Sequence, residues 1–533
     1  MADTTLPQEI QSEPNPSLAR NAGLISLGNV ASRVLGLLRE MVIATWFGAT
    51  GEVSAFRVAS LAPTIVYDFL IGGMLSAALV PTLSEYIQPA RRGEFVRVIS
   101  MVISLFVVLL ALLLLVLELL APQVATLMAS GFDKWDPTLL PLTVRMIRLI
   151  LPAIWFFGMA GVLTGILYAL QRFTFPALSS AVYNLGIIVA APLLAGRFGV
   201  TSLVVGILLG SLAQFAMMAW DLRHWLRTVG HAMRFQFDWH HPALRKIVVL
   251  YIPIAGIELV SSFQVGLDRR LASGSGERSI AWMQNATTLQ QLPLGLISVA
   301  IALAALPRLS QHFANHNEAA YRATLGRGLR TVLLLIAPAA VGLYLLGEPI
   351  TRLIFEHGLF LPTDTAQVVS ALHIYLVGML FAAIDFPLNY AFYARNNTLG
   401  PALVGVLSVG VYVVVAFALL DSLGYHGLIW ADSAKQASHA LVMLLLLTWR
   451  VGRLNARTLT SGLAILAAAV GMAAALYVVR LFLQPQLPPN LLGDLLNLAI
   501  SGSVGVLVYA FLLQQLGVRE LQDVVRMVVA RLR

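Results

Sequence analysis

The sequence predicts an all-α polytopic membrane protein of about fourteen transmembrane helices, arranged as two pseudo-symmetric six-helix lobes plus two C-terminal helices. Three observations carry that reading. Apolar residues fill 58% of 533 positions and charged ones only 11%, against roughly a quarter charged in a soluble domain. Apolar runs such as 98–120 and 463–479 recur along the chain, near the roughly 20 residues that cross a hydrocarbon core about 30 Å thick. A short pattern also repeats: Tyr168-Ala169, six residues, Pro176-Ala177-Leu178 returns 225 residues later as Tyr393-Ala394, six residues, Pro401-Ala402-Leu403. Pro81-Thr82-Leu83-Ser84 is echoed by Pro307-Arg308-Leu309-Ser310 at an offset of 226. Parallel repeats related by an axis along the membrane normal usually bracket a transport cavity.

The first residues are polar and Pro-rich and lack the basic start and apolar core of a cleaved signal, so 1–20 is expected to be a disordered cytoplasmic tail. Apolar runs and breakers then give spans at 22–47, 54–87, 97–120, 141–170, 174–194 and 201–220, an N-lobe within 21–222. The basic stretch 223–246 reads as a cytoplasmic inter-lobe linker. Spans at 247–271, 280–306, 328–346, 367–393, 400–420 and 425–448 make a C-lobe within 247–450. Two more, 459–482 and 491–515, fill 451–516. The amphipathic end, 517–533, with Arg519, Arg526, Arg531 and Arg533, is expected on the inner membrane surface, drawn by anionic lipid.

Loops after even-numbered spans are arginine-rich, as at Arg91, Arg92 and Arg97 or Arg450, Arg453 and Arg457, whereas odd loops offer little beyond Lys134, Arg197, Arg278 and Arg352. The positive-inside rule therefore places both termini in the cytoplasm. The same asymmetry accounts for the net charge of +9 without a nucleic-acid partner. Cysteine is absent, which excludes disulfides and thiolate metal sites, and no metal or cofactor is expected. With no phosphate-binding loop and no nucleophile–histidine frame, the chain reads as a transporter rather than an enzyme.

Ionisable groups inside the spans need a reason, since each costs about 2.5–3.5 kcal/mol at a helix centre. In span 1, Asn29, Ser32, Arg33, Gly36, Arg39 and Glu40 share an arc of roughly 120°, opposite Val34, Leu38, Met41 and Val42. Two guanidiniums against one carboxylate leave positive charge over, which favours an anionic ligand. The alternative is an internal Arg–Glu network that only locks helices together. Span 2 continues with Arg57, Ser60, Thr64 and Asp68 at helical spacing and Tyr67 beside them. Span 7 carries Glu258, Ser261, Ser262 and Arg269 on one stripe, with Glu258 at the repeat offset from Arg33, so these two are expected to face one another. Asp268-Arg269-Arg270 reads equally as a cluster snorkelling at the membrane edge. The substrate-binding candidates are therefore Arg33, Arg39, Glu40, Arg57, Tyr67, Asp68, Glu258 and Arg269. In span 12, Asp432, Lys435, Gln436 and His439 share about 100° of arc, readable as a neutralised Asp–Lys pair or as a coupling-ion site. Asp385 and His373 in span 10 are lone candidates for that task. The coupling candidates are Asp432, Lys435, His439 and Asp385, with a monovalent cation, a proton or the membrane potential as the driving force.

Ser32-Arg33-Val34-Leu35-Gly36-Leu37-Leu38-Arg39-Glu40, Phe47-Gly48-Ala49 and Val80-Pro81-Thr82-Leu83-Ser84-Glu85-Tyr86 resemble the opening of the MurJ (MviN) lipid II flippase family. Leu271-Ala272-Ser273-Gly274, Phe392-Tyr393-Ala394-Arg395 and His426-Gly427-Leu428 extend the likeness, in order, over nearly the whole chain. The resemblance implies the multidrug/oligosaccharidyl-lipid/polysaccharide exporter fold, whose cavity holds a pyrophosphate and sugar-peptide head, with a groove near helices 13 and 14 for the polyprenyl tail. It implies a bacterial inner-membrane flippase that moves lipid II from inner to outer leaflet by alternating access. Its partners are then a lipid-linked saccharide, membrane lipids and, as candidates, cell-wall synthesis proteins. Arg33, Arg39 and Glu40 match the family's functional positions. The chain departs from the pattern at Ser54, where many members are acidic, and at Tyr67 and Ala286-Thr287-Thr288-Leu289, where members carry arginines. Asn397-Thr398-Leu399-Gly400-Pro401 likewise replaces an Asp-Thr-x-x-Pro motif. A flippase for another polyprenyl-linked glycan, a cation-coupled drug exporter and a non-transporting membrane scaffold therefore stay open.

Overall fold

The computed structural model describes residues 16–69, 78–488 and 490–522; most of both predicted tails lies outside them, as does Gly72-Gly73. Among the described residues there are helices and no strand. Span 1 is α1 (Pro16–Phe47), and the described parts of span 2 include α2 (Gly51–Ala59), α3 (Leu61–Asp68) and α4 (Val80–Ser84). Next come α5 (Arg92–Ala129), α6 (Leu139–Ala169), α7 (Thr174–Phe198), α8 (Thr201–Thr228) and α9 (Pro242–Ser275). Span 8 divides at Pro293 into α10 (Ser279–Pro293) and α11 (Val299–Ala314), joined by a π-helical turn, Leu294–Ser298. The chain continues through α12 (Glu318–Leu345), a short α13 (Gly347–Phe355), α14 (Pro362–Ala394), α15 (Leu399–Leu423), α16 (Tyr425–Val451), α17 (Ala456–Leu483) and α18 (Leu491–Gln515).

Ten of these segments are long and apolar enough to cross a membrane on composition alone. Among the described residues the predicted spans 1, 7 and 12 fall short of that measure, and all three carry charged stripes; span 2 is described only in part. Burying ionisable groups against protein rather than lipid is what lets such helices exist at membrane depth.

Helices α1, α2, α3, α5, α6, α7 and α8 pack on one another, and a second group gathers α10, α11, α12, α14, α15 and α16, with α17 against α12 and α18. Small residues bring backbones together: a Cβ on Gly210 of α8 would lie 2.6 Å from the Tyr183 carbonyl oxygen of α7. Without a hydrophobic drive between helices in lipid, such close approach supplies the van der Waals contact.

The two groups meet backbone to backbone at the end away from the arginine-rich loops. Gly48 and Gly358 have φ of +64° and +61°, a left-handed conformation that favours glycine. The Leu359 amide donates to the Thr45 carbonyl at 3.0 Å, and a Cβ on Gly358 would sit 2.1 Å from that oxygen. Beside this contact the Gly131 amide donates to Ser273 Oγ at 3.2 Å. At the basic end, the non-helical segment between α8 and α9 runs along α5, where the Arg234 and Gln236 amides donate to Ser100 and Ser104 hydroxyls at 3.4 and 3.1 Å.

Candidate functional site

Glu40 stands at the centre of the site. It is only 1% exposed, and its carboxylate accepts from Arg39 Nε at 3.1 Å and Nη2 at 2.6 Å. It also accepts from Arg57 Nη1 at 3.2 Å, while Arg57 Nη2 bonds its second oxygen. The Thr50 side chain caps α2 by accepting from the Val53 amide at 3.4 Å. That cap fixes the phase at which Arg57 returns to α1. Arg39 spends a further donor on Asn184 Oδ1 of α7 at 3.0 Å, and Asn184 Nδ2 donates to the Ser32 carbonyl at 3.2 Å. One carboxylate between two guanidiniums forms the internal network expected as an alternative, and within that cluster it leaves one positive charge over.

Arg39 and Arg57 help to wall a cavity of about 330 Å³ between the halves. The first half contributes Arg39, Arg57, Ser60, Thr64 and Asp68; the second contributes Arg269 of α9 and Gln284 of α10. Arg269 Nη2 donates to Gln284 Oε1 at 3.4 Å, and Arg269 lies 3.8 Å from Asp268. Arg269 thus turns inward, while the neighbouring Arg270 is exposed. The Nε–H groups of Arg57 and Arg269 are both buried without a hydrogen-bond partner among the described residues. Unused donors on buried cations are costly.

Other candidates fall elsewhere. The Arg33 guanidinium lies over Gly295 in the π-helical turn, where a Cβ would come within 1.8 Å of Nη1. It does not face Glu258 as the repeat offset leads one to expect; Glu258 lies within electrostatic reach of Asp68 instead. The offset aligns sequence positions, but α1 reaches across to span 8, which redirects the side chain. The Tyr67 side chain lies outside the described residues. The span 12 stripe splits in two. Lys435 pairs with Asp432 at 2.9 Å and donates to Gln264 at 3.2 Å. His439 Nδ1 lies 2.8 Å from Asp385 Oδ1 of α14, whose other oxygen accepts from Asn389 at 2.7 Å. His373 stacks on Tyr344 and bonds its carbonyl at 2.9 Å. Asp268 accepts from the Tyr412 hydroxyl at 2.6 Å. Among the described residues no group of three or more His, Cys, Asp or Glu is placed to hold a metal ion.

Sequence reasoning did not single out Tyr183, Gln214 and Gln284, which line the cavity, or Asn184, which holds Arg39. Their signal was present in Asn184 and Gln214, lone amides inside otherwise apolar spans.

The chain matches the family described as lipid II flippase MurJ over residues 43–496. It is similar to the lipid II flippase MurJ of Burkholderia cenocepacia, 27% identical over 425 residues that cover 78% of this chain and 80% of that protein. It is also similar to the probable lipid II flippase MurJ of Rhizobium meliloti, 29% identical over 473 residues covering 87% and 86%. A solved lipid II flippase MurJ in an inward closed conformation superposes with a TM-score of 0.78 at 23% identity, covering 92% of this chain and 99% of that one. An inward-facing MATE multidrug transporter of the MOP superfamily gives 0.67 at 16% identity over 79% and 94%. At these identities the two structures speak to the fold, whereas the family match covers α2, α3, α9 and α10 of the cavity wall and begins after Arg39 and Glu40. This chain belongs to the MurJ lipid II flippase family.

Proposed function

We propose that this integral membrane protein is a flippase that turns lipid II from the inner to the outer leaflet by alternating access. The observation that carries the reading is one cavity lined by Arg57 from the first half and Arg269 from the second, beside Arg39. A pyrophosphate offers acceptors to both halves at once, and bidentate guanidinium contacts suit phosphate geometry. Carrying such a head bare through hydrocarbon is prohibitive, because desolvating ions costs many kcal/mol. Arginines from both sides substitute for water. Arg57 and Arg269 supply the charge that members place where Tyr67 and Thr288 stand here. The same substitutions favour a second reading, a flippase for another polyprenyl-linked glycan.

In this reading the protein resides in a bacterial inner membrane with both termini cytoplasmic, so the backbone seal at Gly48 and Gly358 lies outside and the cavity is loaded from within. Asp385 and His439 are the groups left to bind a coupling proton, because Asp432 is already neutralised by Lys435. The membrane potential supplies about 2.3 kcal/mol per charge per 100 mV. Cell-wall synthesis proteins that consume the flipped precursor are the expected partners.

Complementation of a strain depleted of its own lipid II flippase tests this. Wild type rescues growth, and Arg57→Ala and Arg269→Ala, at equal membrane levels, do not. Failure of the wild type itself points to another glycan; full rescue by both variants removes the cavity assignment.

A further inference from the structure

A second cavity, of about 570 Å³, lies on the seam between the halves and is walled by apolar side chains of α3, α5 and α9. On α5 the lining recurs every third or fourth residue from Val102 to Leu113, and on α9 from Leu244 to Ala255. Both stripes therefore follow one helix face. Both begin near the end that carries the arginine-rich loops, and each runs for about 16 Å of helix axis. That length is one leaflet of a hydrocarbon core about 30 Å thick.

The groove opens to the bilayer, since Leu109 and Ile252 on its rim are 49% and 63% exposed. It is separate from the arginine cavity: α3 turns Thr64 and Asp68 to the one and Ile65 and Val66 to the other. The Tyr251 hydroxyl in its lining is used internally, donating to the Phe69 carbonyl at 3.0 Å. A cleft with no free polar partner does not retain water. In the opening turn of α9, Lys246 is paired with Glu85, whereas the exposed Arg245 forms no ion pair among the described residues.

We propose that this groove holds one acyl chain of an anionic inner-leaflet phospholipid, with the lipid phosphate at Arg245. The apolar stripes match the chain in length and depth, and the unpaired cation sits at the level of the head group. This lipid is a resident of the seam and not the transported molecule, so the proposal stands independently of the lipid II reading. Because α3 and α5 belong to one half and α9 to the other, rocking of the halves reshapes the groove, and occupancy biases the balance between the two states.

The test is photolabelling of the full chain in nanodiscs containing phosphatidylglycerol with a diazirine on its acyl chain, followed by peptide mapping. Adducts are expected to concentrate in 102–113 and 244–255, several-fold above those on α18. They should fall at least fivefold when Leu109→Trp and Ile252→Trp fill the groove together, and at least twofold in Arg245→Gln, which leaves the walls intact. Thermal melts establish that each variant is folded; if the tryptophan pair is not, Arg245→Gln decides. Labelling no higher than on α18, or unchanged in the folded variants, overturns the proposal. So does displacement by a polyprenyl phosphate as complete as by unlabelled phosphatidylglycerol, which would assign the groove to the substrate tail. Displacement by the phospholipid alone supports it, and no arm depends on transport.

Discussion

Glu40 keeps two guanidiniums together in a buried position, so its replacement is expected to be felt twice. Glu40→Gln leaves Arg39 and Arg57 facing one another without a counter-charge. Breaking a buried pair in this way costs about 3–5 kcal/mol, so a lower melting temperature in detergent and lost complementation should appear together. A melting temperature equal to wild type would show that the carboxylate does not hold the pair. Asp385→Asn tests the His439 contact differently: losing the 2.8 Å contact between α14 and α16 should cut transport several-fold while substrate binding persists. Unchanged transport would leave the contact as helix packing. The face of α1 bearing Arg39 and Glu40 was legible from helical spacing alone. Arg57 as the second partner of Glu40 was not, because the Gly48–Thr50 turn sets the crossing of α1 and α2. His439 was placed with Asp432 for a like reason: periodicity along one helix is silent about which neighbour each side chain meets.

Two helix junctions can each be tested with a single added methyl group. A Cβ at Gly295 enters the space of the Arg33 guanidinium at 1.8 Å, so Gly295→Ala should displace that side chain and cut transport about tenfold or more. Gly410→Ala, with nothing within 4 Å, is the control that should remain near wild type. At the sealed end, Gly358→Ala meets both an unfavourable φ and the Thr45 oxygen. In this cysteine-free chain, a Thr45→Cys reporter should then react several-fold faster with a membrane-impermeant maleimide than in the Gly358 background. Equal rates would mean that the contact does not close the chamber. Most helices were legible as apolar runs. The nine-residue α13 escaped because it is too short for such a run, and the break at 294–298 escaped because the π-helical turn arises from packing around Pro293 rather than from a polar interruption.

The pairing of two bundles was legible in the repeated Tyr-Ala and Pro-Ala-Leu patterns, which report common ancestry of the halves. Their mutual closure was not, since it depends on close contacts of Gly48 with Leu359, Gly358 with Thr45 and Gly131 with Ser273 and Gly274, and glycine leaves no periodic trace. Orientation in the bilayer follows from the arginine-rich loops and is directly measurable. Single cysteines replacing Trp135 and Phe237, exposed to 52% and 40% on opposite ends, should react with impermeant reagent on intact cells at 135 and only after lysis at 237. The reverse pattern would invert the assigned direction of transport. A last consequence follows from Glu40 already occupying the space between two guanidiniums. The positive charge left over is divided between Arg39 and Arg57 on one side and Arg269 on the other, so a small anion such as chloride meets only part of it. What such a chamber selects for is chelation: a guest long enough to satisfy both sides in a single visit.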